Sequence, residues 1–316
     1  MLNEDDVIEA FVRHTASFVD HMLLLDNGST DRTLEILRAL HAEGYPIRVL
    51  QAESVHFVEI AYNTMLFHAA ARAFAAAWVF CLDADEFIDT RRLADPLRDR
   101  LAAVPAEIAC LQLPLVNYYA AVSEADDLLV PRRFTLRDAT DRRIYKCAVR
   151  GDLRDQQPTI DAGNHGVWFD DAAAPTLVVE DLSLAHYPHR HAMQWLTKAT
   201  LGRLKVLATG EQAMESQWSN HYTPVLELLR DDPGRLLTNP AFMATTPPAI
   251  PLVEDPIAYA GLPLRYTQAG DPLLKAVRCL AAGAEQLARH HGRLLADDPA
   301  ARAQADRWSM ETKILF

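Results

Sequence analysis

No apolar run in this chain approaches the roughly 18–20 residues that a membrane-spanning helix needs. The N-terminus, Met1-Leu-Asn-Glu-Asp-Asp6, is acidic and has neither the basic nor the apolar region of a secretory signal. Cysteine is sparse. Cys81, Cys110, Cys147 and Cys279 are spread along 316 residues without a CxxC spacing. Cys81 and Cys110 lie inside apolar runs and read as small buried hydrophobes. A reducing, cytoplasmic setting is the expectation. Basic residues are outnumbered, 31 Lys and Arg against 43 Asp and Glu, for a formal net charge of −12. Neutralising a nucleic acid needs clustered Lys and Arg, so the balance argues against a nucleic-acid binder. A small phosphorylated ligand is still admissible, because a metal ion and a few basic groups suffice to hold one. Repeats and low-complexity tracts are missing too. No basic amphipathic helix argues for a membrane surface, although peripheral contact stays open.

What remains is a balanced globular composition, with 50% hydrophobic and 23% charged residues. The chain is organised around Trp78-Val-Phe-Cys-Leu-Asp-Ala-Asp-Glu-Phe87. An uninterrupted apolar run from Trp78 to Leu82 suits a strand buried on both faces of a parallel sheet. Asp83, Asp85 and Glu86 then fall at its carboxyl end, where open α/β sheets hold ligands. Alternate residues of extended chain point the same way, so Asp83 and Asp85 can share one task. Two convergent carboxylates repel each other, which a divalent cation such as Mg²⁺ or Mn²⁺ relieves. A strand end followed by a solvated acidic turn gives the same pattern.

Before this stretch, Asn3 is expected to cap a helix through Ile8, Phe11 and Val12. Met22 to Leu25 reads as a buried strand ending at Asp26. The turn Asp26-Asn-Gly-Ser-Thr-Asp31 leads into a helix from about Thr33 to Glu43, with Leu34, Leu37 and Leu40 inward. Gly44 stops it, and Ile47 to Leu50 resembles a further strand. A helix over roughly 60–77 delivers the chain to Trp78. Alternating strands and helices predict a doubly wound sheet, with Ile108 to Leu113 as another strand. Residues 117–190 have weaker periodicity and read as the wall of a site. Helical spacing returns from Met193 to Leu207, prolines crowd 233–267, and a last helix spans about 272–295. The tail, with Ile314, Leu315 and Phe316, suits either a core or an oligomer interface.

The Asp26–Asp31 turn can cap the next helix through Thr30 or Asp31. It can also meet a nucleoside, since it and Asp83–Asp85 are expected at carboxyl ends of one sheet. Taken together, Asn3-Glu4, Asp26-Asn-Gly-Ser-Thr-Asp-Arg-Thr33 and Trp78–Phe87 resemble the family 2 glycosyltransferases, within them the branch with a Leu-Asp-x-Asp-Glu-Phe motif. The resemblance is strong over residues 3–90. It continues in order to about residue 205 through Gly163-Asn-His-Gly166, Leu184-Ala-His-Tyr-Pro188, Gln194, Trp195 and Lys198.

The resemblance implies a GT-A fold and inverting transfer of a sugar from a nucleotide-sugar donor. It implies that Asp26 and Asn27 contact the nucleoside. Asp83 and Asp85 match the Asp-x-Asp pair, with Asp85 the direct metal ligand and Asp83 nearer the ribose. His186 matches a late metal ligand, and imidazole suits Mn²⁺ better than Mg²⁺; a packed histidine at a strand end is the alternative. His165 lines the acceptor pocket or is an ordinary turn residue, and His189 and His191 read as solvated. Lys146, Arg150, Arg190 and Lys198 are candidates for the phosphates. Inversion needs a general base, for which Glu180, Asp181, Asp161 and Glu86 are candidates without a way to choose. In the family an apolar strand precedes Asn-Glu, whereas only Met1 and Leu2 do so here. The expectation is an exposed sheet edge and a weakened nucleotide pocket, which an upstream strand would repair.

These readings define an α/β, GT-A-like doubly wound mixed sheet with a helical C-terminal extension. Residues 1–210 form the catalytic domain, with 1–115 as its nucleotide-sugar half and 116–210 as its acceptor and metal half; 211–316 is mostly helical. The expected function is metal-dependent transfer to a glycan or lipid-linked acceptor in cell-surface polysaccharide synthesis. One alternative is a catalytically silent nucleotide-binding protein. A nucleotidyltransferase, the other, lacks its usual glycine-rich basic loop here.

Overall fold

The computed structural model describes residues 1–52, 54–56, 58–120, 127–140, 144–210, 220–243 and 249–309. Arg142, Arg143 and the apolar tail lie outside them. The first half alternates helix and strand: α1 Ile8–Thr15, β1 Met22–Asp26, α2 Thr33–Ala42, β2 Ile47–Gln51, α3 Glu59–Phe74, β3 Trp78–Phe80, β4 Glu86–Asp89, α4 Leu97–Ala102 and β5 Cys110–Tyr119. Shorter elements follow: α5 Val130–Arg133, β6 Leu136–Asp138, β7 Ile144–Arg150, β8 Thr159–Ile160, β9 Val167–Phe169, β10 Ala172–Ala173, β11 Thr176–Val178 and β12 Ser183–His186. The remainder is α6 Ala192–Thr209, α7 Thr223–Asp231, α8 Pro233–Thr238, α9 Pro240–Met243, β13 Leu252–Glu254, α10 Pro272–Asp297 and α11 Pro299–Ser309.

The main sheet is mixed and runs β13-β6-β5-β12-β4, with β5 as its hub. Strand β5 pairs in parallel with β11 and β12 and antiparallel with β6 and β7. Its alternate residues Leu111 and Leu113 are fully buried beside Ile88, Ala148 and Leu184. Strands β1 and β2 form a separate parallel pair joined through α2. Met1 extends that pair: its ammonium donates to the Leu25 carbonyl at 3.0 Å, and Asn27 N–H donates to the Met1 carbonyl at 2.9 Å.

Three expectations need correcting. β1 and β3 were read as strands of one sheet, but β3 hydrogen-bonds to β7 and β1 to β2. They are tied instead through α3, which packs against both. The apolar run was read as buried in parallel surroundings. Trp78–Phe80 is half-buried, because its partner β7 is antiparallel and its other edge has no ladder among the described residues. Asn3 also does other work than capping α1. Its backbone is left-handed at φ 58°, and its Oδ1 accepts from Thr30 N–H at 2.7 Å and Asp31 N–H at 3.3 Å. Asn3 therefore ties the chain start to the Asp26–Asp31 turn.

All of α1 is buried, including Glu9, Arg13 and His14, which it accommodates through fixed partners. The segment after residue 211 is not only helical: β13 lies antiparallel on β6. Helix α10 packs along α6, with the side chain of Leu201 pressed against Gly283. No helix among the described residues is long and apolar enough to cross a membrane.

Candidate functional site

Strand register brings the sequence candidates together. β12 lies between β4 and β5, with His186 opposite Glu86 on one side and Asn117 on the other. Tyr187 N–H donates to the Asp85 carbonyl at 2.9 Å, which pins the acidic turn to the end of β12. On the far side, Phe80 pairs with Ala148 and Cys81 N–H donates to the Cys147 carbonyl at 3.0 Å. That register delivers Lys146 to Asp83 two residues further on.

The two aspartates differ. Asp83 is exposed, and its Oδ2 accepts from Lys146 Nζ at 2.8 Å. Asp85 is buried, with 2% of its side chain exposed, and one oxygen faces three cationic or basic groups. Lys198 Nζ lies 2.7 Å from Asp85 Oδ2, Arg190 Nη1 3.3 Å and His186 Nε2 3.9 Å. Burial pushes the Asp85 carboxyl up, but the charges of Lys198 and Arg190 more than offset it and hold it far below the usual range. Arg190 is locked: it also bonds Asp6 at 2.8 Å, the Tyr187 carbonyl at 3.0 Å, and Glu4.

His186 Nδ1 sits 2.7 Å from Asn117 Oδ1. An amide oxygen only accepts, so Nδ1 carries the proton and Nε2 presents its lone pair toward Asp85. Burial, helped by the charges of Lys198 and Lys146 and opposed by Asp85, lowers the His186 pKa to about 4. The ring is a neutral donor near pH 7.

Glu86, a general-base candidate, is buried behind the turn. Its Oε2 accepts from Asp83 N–H at 3.0 Å, and Lys146 Nζ lies 2.9 Å from Oε1. Burial and the neighbouring Asp83 charge push its pKa up to about 8. Both contacts brace the acidic turn. Asp181 pairs with Arg100 at 2.8 Å, and Glu180 is exposed beside it. Asp161 caps the 162–164 turn by accepting from Ala162 N–H at 2.8 Å. Arg150 bonds the carbonyls of Val104, Pro105 and Ile108, so it is structural.

The turn after β1 is internally satisfied. Asp26 is fully buried and accepts from Gly28 and Ser29 N–H groups at 3.2 Å. Gly28 has φ +83°, and a Cβ there would meet Gln286 of α10 at 2.5 Å. Asn27 donates to the Ala52 carbonyl at 3.1 Å, and Lys205 Nζ donates to the Asn27 carbonyl at 2.8 Å. Lys198 and Lys205 stand seven residues apart on α6, about two turns. One helix face thus reaches both acidic motifs.

Three features escaped the sequence reading. Arg190 is wholly buried among Glu4, Asp6 and Asp85. Glu59, the first residue of α3, accepts from Gly163 N–H at 2.9 Å, and burial and the Asp83 charge raise its pKa. His189, read as solvated, is half-buried with its ring 4.2 Å from that of Trp195, which His221 and Tyr222 flank. His165 Nδ1 bonds the Tyr145 carbonyl at 2.7 Å on an exposed turn. His191 Nδ1 caps α6 by accepting from Met193 N–H at 3.1 Å.

Residues 1–143 match glycosyl transferase family 2. The match, a little under half of the chain, takes in Asn3-Glu4, the Asp26 turn and Asp83–Glu86, and it bears out the resemblance carried by those motifs. His186, Arg190 and Lys198 lie beyond it. The chain is also similar to the mannosyltransferase PcManGT from Pyrobaculum calidifontis in complex with GDP-Man and Mn²⁺. Identity is 15% over 96% of this chain and 80% of that one, with a TM-score of 0.36. A likeness at that TM-score carries no argument about ligand or reaction. No curated protein matches.

Proposed function

We propose that the chain transfers a sugar from a nucleotide-sugar donor to a saccharide or lipid-linked acceptor, with inversion and with a divalent cation. The observation that supports this reading best is the meeting of Asp85, His186 and Lys198 beside the exposed Asp83, within and just beyond the matched glycosyltransferase segment. Among the described residues, no three His, Cys, Asp or Glu side chains already form a metal cage. The donor set still fits an ion whose remaining ligands arrive with a nucleotide. Asp85 and Asp83 offer carboxylate oxygens and His186 a free Nε2 held by Asn117. Bound there, Mn²⁺ or Mg²⁺ supplies neutralising charge for the leaving diphosphate.

The residues divide the rest of the work. Lys198 and Lys146 add positive charge around the diphosphate, and Glu86 and Arg190 fix the acidic turn. Glu59 takes the general-base role, as a half-buried carboxylate whose pKa is raised by burial and by the Asp83 charge. The acceptor hydroxyl gives its proton to Glu59 while its oxygen bonds the anomeric carbon. The bond from that carbon to the diphosphate oxygen breaks, and its electron pair leaves with the nucleoside diphosphate.

A thermal-shift screen of UDP, GDP, CDP and dTDP, each with and without Mn²⁺, tests the reading. One nucleotide raising Tm only when metal is present supports it and names the base of the donor. No shift with any of them favours the non-catalytic alternative.

A further inference from the structure

Lys198 donates at 2.7 Å to Oδ2 of Asp85, the buried carboxylate that a divalent cation would also need. The three groups around Asp85 Oδ2 are not equally free to move. Arg190 has no exposed side-chain surface and is held by Glu4, Asp6 and the Tyr187 carbonyl. His186 is fixed through Asn117. Lys198 is 26% exposed and donates to Asp85 Oδ2 at 2.7 Å. It ends a flexible stem on α6, and an ammonium reorients among acceptors more readily than a forked guanidinium.

A carboxylate buried to this degree needs a counter-charge at all times. In the protein alone, Lys198 and Arg190 supply it. A divalent cation bound by Asp85 and His186 would add two charges beside an ammonium already 2.7 Å from the same oxygen. The repulsion expels the mobile partner, and the nearest new anion is the diphosphate that accompanies the metal.

We propose that Lys198 is an exchangeable counter-ion: it neutralises Asp85 in the free protein and passes to the nucleoside diphosphate when a divalent cation takes its place. This rests on the functional reading above. It makes metal and nucleotide binding mutually dependent, since the ion alone must displace Lys198 with no phosphate to receive it.

The test is Mn²⁺ titration of the full chain, read by the electron paramagnetic resonance signal of free Mn²⁺, alone and with UDP or GDP. In wild-type protein Mn²⁺ alone binds weakly, and the nucleotide strengthens it by about tenfold or more. Lys198→Met keeps the apolar stem and removes the charge. The variant should bind Mn²⁺ alone about tenfold more tightly than wild type. The strengthening by nucleotide should shrink by about the same factor, the part that comes from phosphate ligation of the ion remaining. Lys198→Arg restores the charge and should return Mn²⁺ alone to weak binding. Unchanged or weaker binding of Mn²⁺ alone by a folded Lys198→Met protein overturns the inference. That result can coexist with Mn²⁺-dependent nucleotide binding by the wild type, which keeps the two failures apart. If Lys198→Met fails to fold, Lys198→Gln is read in the same way.

Discussion

Thr267 N–H donates to Glu9 Oε2 at 2.7 Å, across 258 residues of chain. Tyr266 N–H reaches the same oxygen at 2.9 Å, while Arg265 N–H at 2.7 Å and Arg13 Nε at 2.9 Å take Oε1. One buried carboxylate on α1 thereby satisfies three successive backbone donors and holds the C-terminal strap in place. Glu9→Gln keeps the shape but turns an amide N–H₂ toward those donors. The expected loss is about 3 kcal/mol of unfolding free energy, measured by urea denaturation. A loss below about 0.5 kcal/mol, the range of an ordinary surface change, means the strap is held by its apolar contacts instead.

The fold should loosen on mild acidification because of His14. Ala260 N–H donates to its Nδ1 at 3.1 Å, so Nε2 carries the proton and donates to the Ile88 carbonyl at 2.7 Å. Burial lowers the pKa, with the Ile88 carbonyl and Asp89 opposing. A depressed folded-state value means that its contribution is complete above the unfolded value of 6.5 and is lost as pH falls. His186, lowered to about 4, acts in the same direction between 6.5 and 4. Glu86, raised to about 8, acts in the opposite direction. The reading is therefore the Tm difference between wild type and a His14 variant, which should be constant from pH 8 to 7 and shrink below about 6.5. His14→Gln should lower Tm at pH 8 and make the acid decline shallower. An equal acid slope in both proteins would place the titration elsewhere.

Much of the frame was readable because it is local. The spacing of Leu34, Leu37 and Leu40 marks α2, where Leu37 and Leu40 are fully buried and Leu34 half-buried, and the Asp26–Asp31 turn separates it from β1. The order of motifs also put Asp83, Asp85 and His186 at one place, and the structure brings Asp85 and His186 to 3.9 Å. What stayed hidden is register and long-range pairing. Lys146 reaches Asp83 only because Phe80 pairs with Ala148, a choice that no residue near either one announces. Arg190 stood among four phosphate candidates with nothing to single it out, because its partners Glu4 and Asp6 lie 186 and 184 residues away. Asn3 had the right type for a helix cap, yet its amide oxygen bonds the turn at Thr30, 27 residues on. Glu59 was passed over because a glutamate in the first helical turn is ordinary on dipole grounds alone.

Glu59 should matter to turnover and not to binding. Its Oε1 is engaged by Gly163 N–H at 2.9 Å, and Gln in its place can keep that bond through the amide oxygen. Glu59→Gln should therefore leave Tm and the Mn²⁺-dependent nucleotide shift unchanged. Turnover of the nucleotide sugar should fall by roughly 10²–10⁴-fold, the usual contribution of a general base. The residual rate should also lose its acid limb in the pH profile. Near wild-type turnover would pass the base role to Asp161, the carboxylate on the loop that Glu59 holds through Gly163.

Asp85→Asn separates architecture from chemistry at the centre of the site. Arg190 keeps Glu4, Asp6 and the Tyr187 carbonyl in this variant, and the Asp85 backbone carbonyl still receives Tyr187 N–H. The fold should survive, with a cost of about 1–3 kcal/mol for the lost charge-assisted bonds to Lys198 and Arg190. Nucleotide stabilisation that depends on Mn²⁺ should vanish, because the neutral amide is a poor ligand and the exposed Asp83 with His186 holds the ion weakly. Thermal shift in the presence of nucleotide, with and without Mn²⁺, reads both effects in one experiment. A metal-dependent shift that persists in Asp85→Asn removes Asp85 from the metal site and leaves Asp83 as its carboxylate. A variant that is unfolded at 25 °C would instead make the aspartate chiefly a partner for Arg190, with the ion pair as its main work.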